Sequence, residues 1–436
     1  MTSLVWGLLG PGTLAQERRV RTLALGAAVR RFNDLAVPGL GGVWFGKPLF
    51  IATLGIQLAE ELRAGRLDRG NIETANALEA LGCWLEFQRR GWSAEPRLRG
   101  VTKLRAKNDL AFSTCRRRHF YVSQPMRMST VQALPALGLV TDASERFNAF
   151  RITDIGRAFV EEACAPFGPV FQQRSVFKHL SGWARGAHDL GQSTARLCEA
   201  ISPMTPLPLS ARSVLRARLV QGGTEDARRR RATLAWVEHV RKSSRGPVGW
   251  ADRPGDLDAT HWRDVVSGAA FFRMRDSAMG ALNATESSIG LAQAQKLVLA
   301  RGLPSEVRQC ITALRQVASE FLTLNHDPSP EQMATRFATE CTAKDPAAVL
   351  SALVVRDGRV LRLADGVVIP GPAFEGQPMP SVTDAAQVEP EVEVPKGVIE
   401  WPDGLSYRIR NLFLLNLDLR GELDSWLGQT AVGVEP

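Results

Sequence analysis

Few residues in this chain have the types and spacing for chemistry. Gly41 to Lys47 fits the first half of a phosphate-binding loop, in which backbone amides cradle phosphates and a lysine neutralises them. Pro48 stands where a Ser or Thr hydroxyl would hold magnesium. Trp44 and Phe45 are bulky where amides should wrap phosphate, and no strand precedes the loop. The stretch predicts instead a tight turn that buries Trp44 against the first helices. His119, His179, His188, His239, His261 and His326 include no pair at the i, i+4 spacing of a zinc helix, and no HExxH occurs. There is no G-x-S-x-G elbow. Glu391, Glu393 and Lys396 are the residue types of a metal-nuclease set. They lie in a Pro-rich run, where no rigid sheet would hold a divalent ion. Cys83, Cys115, Cys164, Cys198, Cys310 and Cys341 are too far apart for a zinc knuckle or CxxC, and suit free thiols in a reducing compartment. The expectation is a protein that is not an enzyme and takes no cofactor or metal. A metal-dependent nuclease, or a site scattered along the chain, is the weaker alternative.

Charge is the stronger signal. The 436 residues carry 54 basic and 45 acidic side chains, a formal net charge of +9. Only eight of the basic residues are Lys, so 46 are Arg. A guanidinium fork matches phosphate oxygens, although the same bias fits the codon usage of a GC-rich bacterial genome. Long-range attraction favours an anionic partner, nucleic acid or else an acidic protein subunit. Two clusters stand out: Arg116, Arg117 and Arg118, and then Arg228, Arg229, Arg230 and Arg231, with Arg241, Lys242 and Arg245 beyond. On a helix, four successive arginines point all round, so some would meet phosphate and others solvent.

The elements that must position these charges are mainly helical. Leu139 and Val140 are β-prone, Thr141 to Glu145 is turn-like, and Phe150, Arg151 and Ile152 alternate with period two. Two strands pairing across a loop of about eight residues are expected. Thr153 or Asp154 can cap a helix carrying Ile155, Phe159 and Val160. Upstream, Ser129 or Thr130 can cap a short helix bearing Val131, Leu134 and Leu137, with Pro135 expected to split or shorten it. From about Lys103 to Cys164 this order resembles a winged helix. The resemblance implies that Arg127, Ser129, Thr130 and Gln132 face a DNA groove. It places Arg146 and Asn148 at the wing tip and gives Arg116, Arg117 and Arg118 sequence-independent phosphate contacts.

Elsewhere the periodicity predicts helices over 12–34, 49–64, 72–90, 169–200, 208–220, 225–243, 259–280, 285–301 and 304–324. Residues 328–370 read as either a second winged-helix-like module or simply a small sheet: helices at 330–341 and 346–353, then a hairpin turning at Asp357-Gly358. Residues 371–396 read as a Pro- and Glu-rich linker. A last hairpin is expected around Pro402-Asp403-Gly404, followed by a Leu-rich tail that could add a strand to its own fold or to a partner. The fold class is thus mainly α (α+β): a multi-helical protein with one or two winged-helix-like modules and small β-hairpins. The divisions expected are 1–165, 166–327, 328–370, 371–396 and 397–436. No run is long enough to span a membrane and no signal peptide is expected, so the protein is placed in the cytoplasm.

Together these features point to a non-catalytic subunit that binds double-stranded DNA in a bacterial multi-protein system. Antiphage defence or a mobile element is the context, with an ATPase or nuclease supplied by another chain. The alternative is a structural scaffold whose winged helix and tail bind protein partners.

Overall fold

The structure is a computed structural model. It describes residues 21, 23–141, 144, 146–188, 190, 194–243, 249–250, 252–377 and 399–432, with side chains to 428. It is mainly α and multi-helical, 61% helix and 4% strand, with two small antiparallel sheets. No helix among the described residues is long and apolar enough to cross a membrane. The chain begins with α1 (Gly26–Ala36), α2 (Lys47–Ala64), α3 (Asn71–Arg89), α4 (Val101–Arg105), α5 (Phe112–Cys115) and α6 (Ala133–Ala136). Strands β1 (Val140–Thr141) and β2 (Arg151–Ile152) precede α7 (Asp154–Cys164), α8 (Val176–Ala184), α9 (Ala195–Ile201), α10 (Leu209–Val220) and α11 (Glu225–Ser243). Then come α12 (Ala259–Leu291), β3 (Leu297–Val298), α13 (Ser305–Thr323), α14 (Met333–Cys341) and α15 (Pro346–Asp357). The hairpin β4 (Leu361–Ala364) and β5 (Val367–Pro370), α16 (Tyr407–Arg420) and α17 (Leu423–Val432) close the order.

The chain divides into two compact units, one of residues 32–268 and 389–436, the other of 1–31 and 269–388. In the larger unit the core is built on α2 and α3. Helix α2 is apolar on nearly every side and therefore buried along most of its length. Its backbone meets α3 closely: a Cβ at Gly55 would lie 2.6 Å from Ala75 Cα. Only glycine permits that approach. The expected hairpin forms, with Val140 opposite Ile152 and Thr141 opposite Arg151. Thr153 caps α7 by accepting the Gly156 amide. The turn at 39–46 buries Trp44, and Gly39 and Gly41 both have positive φ. Helix α16 is buried almost all round, and Asn416 and Arg420 on it meet Glu238 of α11.

In the smaller unit, α13, α14 and α15 pack together and the sheet runs β3-β5-β4. Arg21 is wholly buried between Glu286, 2.8 Å away, and Asp357, at 3.1 Å. Asp357 also accepts from the amides of Val360 and Leu361.

Several expectations need correction. Residues 354–356 are helical, and Asp357-Gly358 ends α15 with Gly358 at φ +59°; the hairpin turns at Asp365-Gly366 instead. The segment from Tyr407 is helical rather than a strand, because Ser406 caps it and the Leu-rich run continues the helix. Residues 259–280 and 285–291 form one helix, and β3 follows. The span 169–200 contains two short helices, not one long one. Residues 12–20 and Val398 lie outside the described residues, as do residues 378–396 of the expected linker at 371–396.

Two measurements check this architecture. Gly55→Val forces a side chain onto the α3 backbone, so the larger unit should lose at least about 2 kcal/mol in urea unfolding. Glu238 is opposed by burial. Hydrogen bonds from Arg241 and Asn416 and the nearby charges of Arg420 and Arg241 outweigh it and hold the carboxyl at about 2, against an ordinary 4.5. Its contribution is therefore complete above pH 4.5 and is lost as pH falls towards 2. Acid unfolding should show that loss, on the order of 2 kcal/mol, and Glu238→Gln should abolish the dependence in this window.

Candidate nucleic-acid interface

The residues expected to face a groove lie differently from the winged-helix arrangement. Residues 126–130 form a short 3₁₀ turn and α6 is a single turn. The buried Glu79 of α3 accepts from the amides of Met126, 2.7 Å, and Arg127, 3.0 Å, and so pins the 3₁₀ turn inward. Ser129 and Thr130 are buried, and their hydroxyls donate to the carbonyls of Met126 and Arg127. Gln132 is half-buried and its Oε1 faces inward without a partner. The Arg127 guanidinium donates to Asn76 and lies over the Phe147 ring. Asn148 serves α3, its side chain accepting the Ile72 amide at 2.9 Å. Arg146 is exposed. A groove-reading helix at 127–132 is therefore corrected: Glu79, about two turns into a helix that looks merely amphipathic in sequence, turns this segment into the core.

The four arginines of α11 are largely structural ties. Arg229 is buried between Glu225, 3.1 Å, and Asp264, 2.6 Å. Arg230 is buried against the carbonyls of Leu219 and Pro38. Arg231 donates to Val220 and Gly222, and Arg228 pairs with Glu225 one turn away.

The excess of positive charge lies elsewhere. Residues 89–119 hold ten basic and two acidic side chains, leaving 44 basic and 43 acidic in the rest of the chain. Almost the whole net charge thus belongs to this stretch, which spans the end of α3, α4 and α5. Arg90, Lys103, Arg105, Arg117 and Arg118 are exposed and carry no ion pair among the described residues. Arg89 is half-exposed and 3.7 Å from Glu86. Arg116 pairs with Glu73 at 3.3 Å, and Arg97 is buried against Glu95 and Asp424. Of the three arginines at 116–118, two are therefore free to meet an anion. They follow α5 in a turn rather than ending a long helix.

A cleft of about 720 Å³ opens beside this stretch, walled by Trp84, Leu85, Gln88 and Arg89 of α3, by the loop at 108–111, and by Leu190 and Cys198. That loop is pinned from two sides. The Trp84 indole donates to the Lys107 carbonyl and the Trp183 indole to that of Leu110, both at 2.9 Å. Between the pins, Asn108 and Asp109 are exposed. Hydrogen bonds from the Thr114 hydroxyl and the Ala111 amide hold the Asp109 carboxyl below its ordinary value. Trp92 stacks on Phe87 and meets Trp84 edge-on. Counting charge in windows would have found the basic stretch in the sequence. Nothing local signals that residue 108 faces residue 84.

Two imidazoles, His179 and His188, stack 4.4 Å apart, but no group of three metal-ligating side chains occurs among the described residues. Compared with known proteins, the chain matches no family model, no curated protein and no solved structure.

The partition of the arginines is testable by urea unfolding. Arg229→Ala takes the guanidinium away from the buried Asp264 carboxylate and should cost about 3–5 kcal/mol. Arg228→Ala, at an exposed i, i+3 pair, should change stability by about 0.5 kcal/mol or less.

Proposed function

We propose that this protein is a non-catalytic, nucleic-acid-holding subunit that binds the phosphate backbone through the face formed by residues 89–119. The observation that carries this reading is the confinement of nearly all the net positive charge to one stretch, half of whose ten arginines and lysines are both exposed and without an ion pair among the described residues. Neutralising phosphates releases condensed counterions, so such a face gives affinity with little dependence on base sequence. The half-buried tryptophans beside it suit stacking on bases. Any chemistry on the bound strand would come from another chain of the same system, for which antiphage defence remains the proposed setting.

Electrophoretic retention of labelled DNA across a salt series tests this. The parent should lose affinity steeply between about 50 and 200 mM salt. The triple variant Lys103→Ala, Arg117→Ala, Arg118→Ala should bind every sequence more weakly and lower the salt slope by roughly 2–3. Arg228→Ala with Arg231→Ala should leave binding unchanged. A parent that retains no DNA at physiological salt would favour the scaffold reading and remove this one.

A further inference from the structure

We propose that the cleft between α3 and the loop at 108–111 takes one unstacked base, guanine by preference, from the strand held on the neighbouring basic face. The proposal rests on the reading of residues 89–119 as a phosphate-binding surface.

The cleft's volume, about 720 Å³, is that of a small-molecule site and ample for one nucleotide. Its chemistry has three parts. Trp84 is half-buried and its indole N–H is already committed to the Lys107 carbonyl, so what it offers a ligand is the ring. Leu85, Leu110 and Ala111 extend that apolar wall. Gln88 and Asn108 bring exposed amides, which can donate and accept. Asp109 brings an exposed carboxylate, an acceptor only; its Oδ1 already accepts from the Ala111 amide and its Oδ2 from the Thr114 hydroxyl, so each oxygen offers a ligand its remaining lone pair. An acceptor-only group beside a flat apolar wall selects a planar ring with N–H donors on its edge. Guanine places N1–H and the N2 amine side by side, matching the two oxygens of one carboxylate. Arg89, exposed on the α3 wall, is suited to the adjoining phosphate, and Asp109 would repel one placed against the loop. Orientation follows: base inward, phosphate outward towards Arg89 and Arg117. Both walls are held before any ligand arrives, since the loop is pinned by two tryptophans.

Fluorescence anisotropy with the full chain tests this, using short DNA probes of equal length and charge. One probe is wholly abasic, one carries a single guanine and one a single adenine. The abasic probe reports the basic face alone. The single guanine should raise affinity about tenfold over the abasic probe, and the adenine by less. Trp84→Leu should remove that gain, and Trp84→Phe, which keeps a ring but loses the indole hydrogen bond to the Lys107 carbonyl, should restore part of it. Asp109→Asn should narrow the gap between guanine and adenine. A gain below twofold, with abasic binding intact and salt-sensitive, would overturn the base site and leave the phosphate face standing. Loss of binding by every probe at 50 mM salt would remove both. Saturable binding of free GMP, with no gain from a guanine in the strand, would overturn the strand as the source and assign the cleft to a free nucleotide.

Discussion

The larger unit depends on the close crossing of α2 and α3, where Gly55 lies against the backbone at Ala75. With that contact made, α3 is fixed along its whole length, and each of its turns then positions something different. At its start, Asn71 donates to the carbonyls of Phe147 and Phe150 and so holds the hairpin loop. In its middle, Glu79 draws in residues 126–127. At its end, Trp84, Gln88 and Arg89 form one wall of the cleft. A helix that moved by one turn would lose all three at once. The crossing at Gly55 thus positions the cleft wall at 84–89, about thirty residues further along the chain.

Arginine plays two physical parts here. Arg21, Arg229, Arg230 and Arg408 are buried, and each has carboxylate or carbonyl oxygens within reach. Burying a guanidinium is costly unless its donors are met. The match must therefore be close, and these residues give specificity to the packing rather than a surface to a partner. Half of the ten arginines and lysines of 89–119 are in the opposite situation, exposed and without an ion pair among the described residues. The Arg-rich composition conceals this division. A run such as Arg228 to Arg231 looks like the stronger anion site in sequence, yet helical geometry turns two of its four members into the core.

Local signals were legible wherever a short stretch contained its own partner. Thr153 capping Gly156, the period-two run at 150–152 and the turn around Gly41 all formed as expected. Misreadings arose where the deciding partner was remote. Asp357-Gly358 has the composition of a hairpin turn. Asp357 instead binds Arg21, 336 residues earlier, and the chain turns at the next Asp-Gly pair. Ser129 and Thr130 resemble a helix cap facing outward, but Glu79, about fifty residues upstream, turns the segment inward.

By itself the sequence determined the class of the fold, the positions of most helices and the excess of positive charge. These follow from hydrophobic spacing, caps and composition, which need only neighbouring residues. Only the tertiary structure decided which charges remain available. Whether a guanidinium is a tie or a docking point depends on an oxygen within about 3 Å, and folding brings that oxygen from far along the chain. For the same reason the facing of Trp84 and Asn108 across a cleft belongs to the packed molecule and to no local pattern.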